Sequence, residues 1–146
     1  MFPEKLKSSR VVPIFKAGDP TSCDNYRPIS LVSAISKILE KTVASKLTEH
    51  LETNNLLYEH QYGFLKGKST EHNLLHLTNK IGEALNDDKY CIGIFLELKK
   101  AFDVVSHSIL LKKLKTLGIN GTALKWFESY LKNRTQQVDI NGNLSD

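Results

Sequence analysis

Cysteine is scarce in this 146-residue chain. Cys23 and Cys91 stand far apart, outside any CxxC or Cys/His spacing, so neither a disulfide framework nor a zinc ribbon is supported and a reducing compartment is the default. Long hydrophobic runs are lacking too: the apolar stretches last a few residues, against the roughly 20 that cross a bilayer. The opening MFPEKLKSS carries no hydrophobic signal segment. These absences argue against membrane insertion and secretory export. Low-complexity tracts, repeats and Gly/Ser linkers are missing as well, so no internal domain boundary is expected.

What remains is a composition able to bury a modest core, 40% hydrophobic and 25% charged. The net charge of +4, from 20 Lys and Arg against 16 Asp and Glu, permits an anionic partner without demanding one. Lys66 and Lys68 sit in a run free of acids, and Lys99, Lys100, Lys112, Lys113 and Lys115 crowd a short stretch. Either patch also reads as a plain solvated face.

The periodicities predict the order β, α, α, β, α, α, β and an α/β (α+β) fold. RVVPIFK (10–16) reads as a strand, placed at a sheet edge by Pro13, and AGDPTS after it is turn chemistry. Ile35, Ile38, Leu39, Val43, Leu47 and Leu51 predict an amphipathic helix over 33–52. A second helix, capped by Ser69 or Thr70, carries Leu74, Leu77, Ile81 and Leu85. KYCIGIFLEL (89–98) has the length and continuity of a central strand buried on both faces. Two shorter helices follow, the first closed by Gly118 and the second opened by Asn120 or Thr122. RTQQVDINGN then reads as a strand turning at Asn141-Gly142.

Three motifs invite chemistry. GFLKGKS (63–69) approaches the phosphate-cradling GxxxxGK[ST] loop but is one residue short, with Tyr62 where the first glycine belongs. Its glycine-punctuated approach to a capped helix is the simpler reading, and a P-loop NTPase the lesser alternative. HNLLH (72–76) puts two imidazoles at i, i+4 with Asn73 where a metalloprotease needs Glu, so surface histidines are expected. Trp126, Phe127, Tyr130 and Leu131 at helical spacing read as core or interface. In FLELKKAFD (95–103) Glu97 and Asp103 lie in or just after the most apolar run. Carboxylates there are either metal ligands or paired acids, Glu97 with Lys99 or Lys100.

Four blocks, in order, resemble the reverse transcriptase domain of non-LTR (LINE-like, jockey-type) retrotransposons. RVVPIFKAGDPTSCDNYRPISLVSAISKILEK resembles the opening fingers block, and YEHQYGFLKGKSTEHNLLHLT the QxGFRxGxST block. IGIFLELKKAFDVVSHSILLKKLKTLGI is similar to FLDLSKAFDTVDHxxLLxKL, and GTALKWFESYLKNRTQQVDING follows in the same order. The resemblance covers essentially the whole chain. It implies a partial right-hand polymerase fold, with about 1–88 as fingers and about 89–146 as the first part of an incomplete palm sheet.

The resemblance also implies roles. Lys16 and Arg27 match finger cations that grip the triphosphate of the incoming nucleotide, for which a point charge and a planar fork both suit. Gln61, Gly63, Phe64, Lys66 and Lys68 fall in the block that places template and nucleotide. Glu97 takes the position of the first catalytic aspartate and Mg²⁺ ligand. Lys100 and Ala101 would offer backbone N–H groups to the triphosphate, and Phe102 matches the aromatic gate that selects dNTPs. Asp103 matches a structural acid. The implied partners are an RNA template, a DNA primer and dNTPs, with no membrane; the implied place is the nucleus or cytoplasm.

Departures accompany the matches. Glu97 replaces Asp, and its extra methylene moves the carboxylate out by about 1.5 Å, large against metals ~3.5–4 Å apart. Leu65 stands for the Arg of GFR and Ser106 for the Asp of VDH. No YADD hairpin, PQG segment or thumb follows within the 146 residues, so Ile92, Ile94 and Leu96 are expected to be poorly covered. The expectation is a truncated or degenerate polymerase piece, inactive alone. A non-catalytic nucleic-acid-binding remnant and a functionless relic are the alternatives.

Overall fold

A computed structural model of the chain describes residues 1–98 and 100–146. Among them are four helices, α1 (Ala34–Thr53), α2 (Thr70–Asn86), α3 (His107–Thr116) and α4 (Gly121–Leu131). Four strands accompany them: β1 (Ser8–Phe15), β2 (Tyr26–Leu31), β3 (Thr135–Ile140) and β4 (Asn143–Leu144). They fall into two compact units, one of Met1–His50 with Ser106–Asp146, the other of Leu51–Val105. No shift of composition marks either boundary, which is why the sequence shows none.

The first unit holds a mixed sheet in the order β2-β1-β3-β4. Its β1 is antiparallel to β2 and parallel to β3. Pro13 therefore lies in an inner strand, not at the predicted sheet edge. The register explains why it is tolerated. Pro13 faces Pro28, and two residues without N–H can only form a non-hydrogen-bonded antiparallel pair, whose missing donors point away from each other. The β1–β3 pairing runs from Ser8 to Val11, so β1 has one neighbour where Pro13 sits. Asn141 (φ 53°) and Gly142 (φ 86°) close the β3–β4 hairpin as a two-residue turn with both φ positive, as NG predicts.

Phe2, Val11, Leu114 and Ile119 form the buried apolar core. Phe2, 2% exposed, meets Trp126 and Tyr130 edge-on at 5.6 and 5.1 Å. Trp126 and Tyr130 stack at 5.1 Å, so the aromatic stripe of α4 is half-buried packing. The Arg134 guanidinium covers Tyr130 at 4.6 Å and lies 3.9 Å from Glu40, which accepts from the Ser36 hydroxyl at 2.8 Å. Burial, then the Glu40 charge, raises the Tyr130 phenol above its ordinary range. The inward stripe of α1 is thus Ser36, Glu40, Val43 and Leu47, while Ile35, Ile38 and Leu39 of the predicted apolar face are exposed. Helix α3 ends in a Schellman motif: Gly118 (φ 87°) donates to Lys115 O, and Ile119 to Leu114 O.

In the second unit α2 begins at an N-cap, Ser69, whose hydroxyl accepts from the His72 N–H at 3.3 Å. Past its last residue, Asn86, the chain turns out of the helix through Asp88, held at φ 54°. The predicted central strand over 89–98 is not formed. Those residues are irregular, and Tyr90, Ile92, Ile94, Phe95, Leu96 and Leu98 are exposed. A strand requires a neighbour to satisfy its backbone groups, and among the described residues none pairs with this segment.

Candidate nucleotide and template site

The β1–β2 hairpin carries two of the predicted site residues. Arg27 lies opposite Ile14, and the ladder continues past the strand with the Lys16 N–H donating to Asn25 O at 2.8 Å. Residues two apart share a face, so Lys16 and Arg27 are diagonal neighbours on one face, roughly 7–8 Å apart in such pairs. Both are exposed. Neither has an ion pair among the described residues.

The connecting turn is fixed by its own polar groups. Asp19 Oδ1 accepts from the Thr21 N–H at 2.9 Å and the Thr21 hydroxyl at 2.7 Å, which holds the carboxyl below its ordinary value. Asn25 Nδ2 donates to Asp19 O, and the Tyr26 hydroxyl to Pro20 O. Gly18 has φ 96°, and a Cβ there would come within 2.8 Å of Asn25 Nδ2. GDP and NY of the motif thus shape the turn, leaving the cations to face solvent.

In the second unit the block Gln61, Gly63, Phe64, Lys66, Lys68 forms a loop before α2. The Gln61 N–H donates to Tyr58 O at 3.0 Å, and its side-chain amide to Gly63 O at 3.3 Å. Phe64, at φ 62°, projects its ring to Phe102, 5.8 Å away and edge-on. Two residues that the sequence assigned to separate motifs are thereby brought together. Lys68 Nζ donates to Glu59 O at 3.1 Å and lies 4.9 Å over the Tyr62 ring. An open cleft of about 350 Å³ lies beside it, lined by residues including Tyr62, Lys68, His72 and His76.

Two lesser motifs resolve structurally. The α2 N-terminus is capped by Ser69, whose hydroxyl accepts from the His72 N–H, an ordinary helix start after a glycine-punctuated loop. His76 stacks on His60 at 4.5 Å and 30°, while His72 Nδ1 lies 3.2 Å from the Ser69 hydroxyl, so the two imidazoles of the motif have separate partners. Tyr62, His60 and Glu59, which organise this loop, carry no sequence signal that distinguishes them from ordinary loop residues.

Glu97 is exposed in the irregular segment; its pairing with Lys99 lies outside the described residues. After it, Lys100 (φ 54°) accepts through its carbonyl from the N–H groups of Asp103 (2.9 Å) and Val104 (3.3 Å). This turn holds Ala101 and Phe102 outward. Asp139 pairs with Arg10 at 3.4 Å and accepts from the Gly142 N–H, a hairpin-fixing role. Among the described residues no three His, Cys, Asp or Glu side chains gather to hold a metal ion. The donors present therefore do not make a two-metal site around Glu97.

Comparison with known proteins places this arrangement among the nucleic-acid polymerases. Residues 14–145 match the family model described as reverse transcriptase (RNA-dependent DNA polymerase), and the chain belongs to that family. It is 35% identical over 145 residues to a probable RNA-directed DNA polymerase from transposon BS of Drosophila melanogaster, covering 99% of this chain and 16% of that protein. It is 34% identical over 142 residues to the RNA-directed DNA polymerase from mobile element jockey of the same species, covering 97% and 15%. The probable RNA-directed DNA polymerase from transposon X-element of that species is 32% identical over 145 residues, covering 99% and 16%. The likeness is to polymerases of non-LTR elements. The four helices and mixed sheet are the α/β fold expected of part of a reverse transcriptase, and polymerases of this family depend on divalent metal. No helix among the described residues is long and apolar enough to cross a membrane.

Proposed function

We propose that these 146 residues form the nucleotide- and template-handling front of an RNA-directed DNA polymerase of a non-LTR retrotransposon, about 1–88 as fingers and about 89–146 as the start of the palm. The observation that carries the reading is the hairpin register that puts Lys16 and Arg27 on one exposed face. An ammonium and a guanidinium so placed suit the oxygens of a dNTP triphosphate. Gln61, Gly63, Phe64, Lys66 and Lys68 build the loop that places template and nucleotide. The resemblance gives Phe102 the part of the gate that selects dNTPs, Lys100 and Ala101 that of amide donors to phosphate, and Asp103 that of a structural acid. The reaction of the whole polymerase is addition of a dNTP to a primer 3′-OH on an RNA template. Glu97 occupies the first acid position, but the donor set around it is incomplete, so the isolated 146 residues bind without catalysing.

The test is triphosphate binding by the purified chain, followed by NMR titration with dTTP at low salt. Arg27→Ala and Lys16→Ala each weaken binding about tenfold, the scale of one charge-assisted hydrogen bond. No binding, or binding indifferent to both substitutions, overturns the reading. Mg²⁺-dependent extension of a primer on RNA by the 146 residues alone overturns the claim of inactivity.

The incomplete donor set also favours a second reading, a nucleic-acid-binding segment without chemistry. Its signature is RNA binding that weakens with salt by roughly 0.7 log units per log unit and phosphate contact, with no preference for triphosphates.

A further inference from the structure

The loop before α2 holds Gln61, Gly63 and Phe64 between two points joined by one side chain. Lys68 reaches back nine residues, its Nζ donating to the carbonyl oxygen of Glu59 at 3.1 Å. On the way it lies over the Tyr62 ring at 4.9 Å. Tyr62 in turn lies 6.1 Å from His76 of α2, and His60 stacks on the same ring at 4.5 Å. Lys66, two residues away on the same loop, is exposed and has no hydrogen bond or ion pair among the described residues. The two lysines of the acid-free run are therefore not equivalent. One has its ammonium committed to a backbone carbonyl and a π face, and the other presents its charge to solvent.

We propose that Lys68 is a positioning residue: it closes the 59–68 loop at its base and so fixes the Gln61–Phe64 block, while Lys66 is the lysine of this loop that meets a nucleic-acid phosphate. An ammonium suits the closing role because it can donate to a carbonyl and lie on an aromatic face at once. A neutral side chain of similar length keeps the stem and loses both contacts. The assignment of Lys66 rests on the nucleic-acid reading above; that of Lys68 stands on the loop geometry.

The experiment compares the 146-residue chain with Lys68→Met, Lys68→Arg and Lys66→Met, reading amide hydrogen exchange and the salt dependence of single-stranded RNA binding. The Gln61 and Lys68 amides, bonded to Tyr58 O and Leu65 O, report on the loop. Amides in the middle of α2 control for folding. In Lys68→Met the two loop amides exchange about tenfold faster, the scale of one lost charge-assisted bond, with α2 unchanged and the salt slope as in wild type. Lys68→Arg, which keeps the charge and the ring contact, restores most of the protection. Lys66→Met leaves exchange alone and lowers the slope by about 0.7. A Lys68→Met chain with unchanged loop exchange and a slope lowered by that amount makes Lys68 a phosphate contact and overturns the proposal. If wild type binds no RNA at low salt, the nucleic-acid reading falls, and the exchange data still decide the role of Lys68.

Discussion

Phe64 and Phe102 meet edge to face, with ring centroids 5.8 Å apart and planes at 89°. One belongs to the GF element before α2 and the other to the AFD element after the apolar run. Their contact ties the loop before α2 to the turn after the apolar run within one compact unit. Each ring is otherwise open, 93% and 79% exposed, so neither position is set by a surrounding core.

A double-mutant cycle measures that tie. Edge-to-face pairs are worth about 0.5–1.5 kcal/mol beyond area burial, and the high exposure of both rings puts this one at the lower end. Phe64→Leu and Phe102→Leu, singly and together, are expected to couple by about 0.5 kcal/mol in urea unfolding. Additive effects contradict the contact.

Phe2 is the anchor of the first unit. It is buried under Trp126 and Tyr130, and its N–H donates to Ser129 Oγ at 3.1 Å. Phe2→Ala removes a ring that neighbouring side chains cannot replace, a loss of about 3–5 kcal/mol. Trp126 is the only tryptophan, so its fluorescence reports the change directly. A shifted emission and a much lower urea midpoint are expected; an unchanged midpoint means that the ring is not packed there.

How much of this was legible in the sequence depends on how local the cause was. Gly118 was readable because a Schellman stop needs a residue that accepts φ 87° between Leu114 and Ile119, both apolar. Ser69 and Asn141-Gly142 were readable for the same reason. Lys16 and Arg27 are marked as a pair by motif resemblance alone, and their common face follows only from the register. Phe2 was not readable, because its partners lie far away in α4. The strand predicted over 89–98 failed for a related reason: apolar continuity says that a segment can be buried, and only a partner buries it.

Replacing Gly118 tests the first of these. Alanine at a positive φ costs about 1–2 kcal/mol. His50 Nε2 donates to the Leu117 carbonyl at 2.9 Å and holds the same corner. Gly118→Ala is therefore expected to lower stability by about that amount, measured by urea unfolding, while Gly82→Ala, inside α2 with open space at its Cβ, raises it by up to about 1 kcal/mol. Equal effects at the two positions contradict the assigned conformations.

The Asp19 turn has a pH dependence of defined sign. The Thr21 N–H, and then its hydroxyl, hold the Asp19 carboxyl below its ordinary value of 3.8. The folded value is thus below the unfolded one, and the group contributes to stability above pH 3.8, losing that contribution as pH falls through the lowered value. The Thr21 amide resonance is expected to stay constant from neutral pH down to about 4 and to move only below it. In Asp19→Asn that step disappears. A midpoint above the ordinary value contradicts the hydrogen bonding seen in the turn.

The exposed run 89–98 makes the last prediction. Ile92, Ile94, Leu96 and Leu98 share one parity of an extended segment and are 76–90% exposed, and no strand pairs with them among the described residues. Such a segment is a template for association between chains. Lysine at alternate positions blunts it by charge without disturbing anything packed. The chain carrying Ile94→Lys and Leu96→Lys is expected to scatter less light at a given concentration, with its urea midpoint moved by no more than about 0.5 kcal/mol equivalent. A large drop in stability would mean that these side chains are buried in the folded protein, and undiminished scattering would place the associating surface elsewhere.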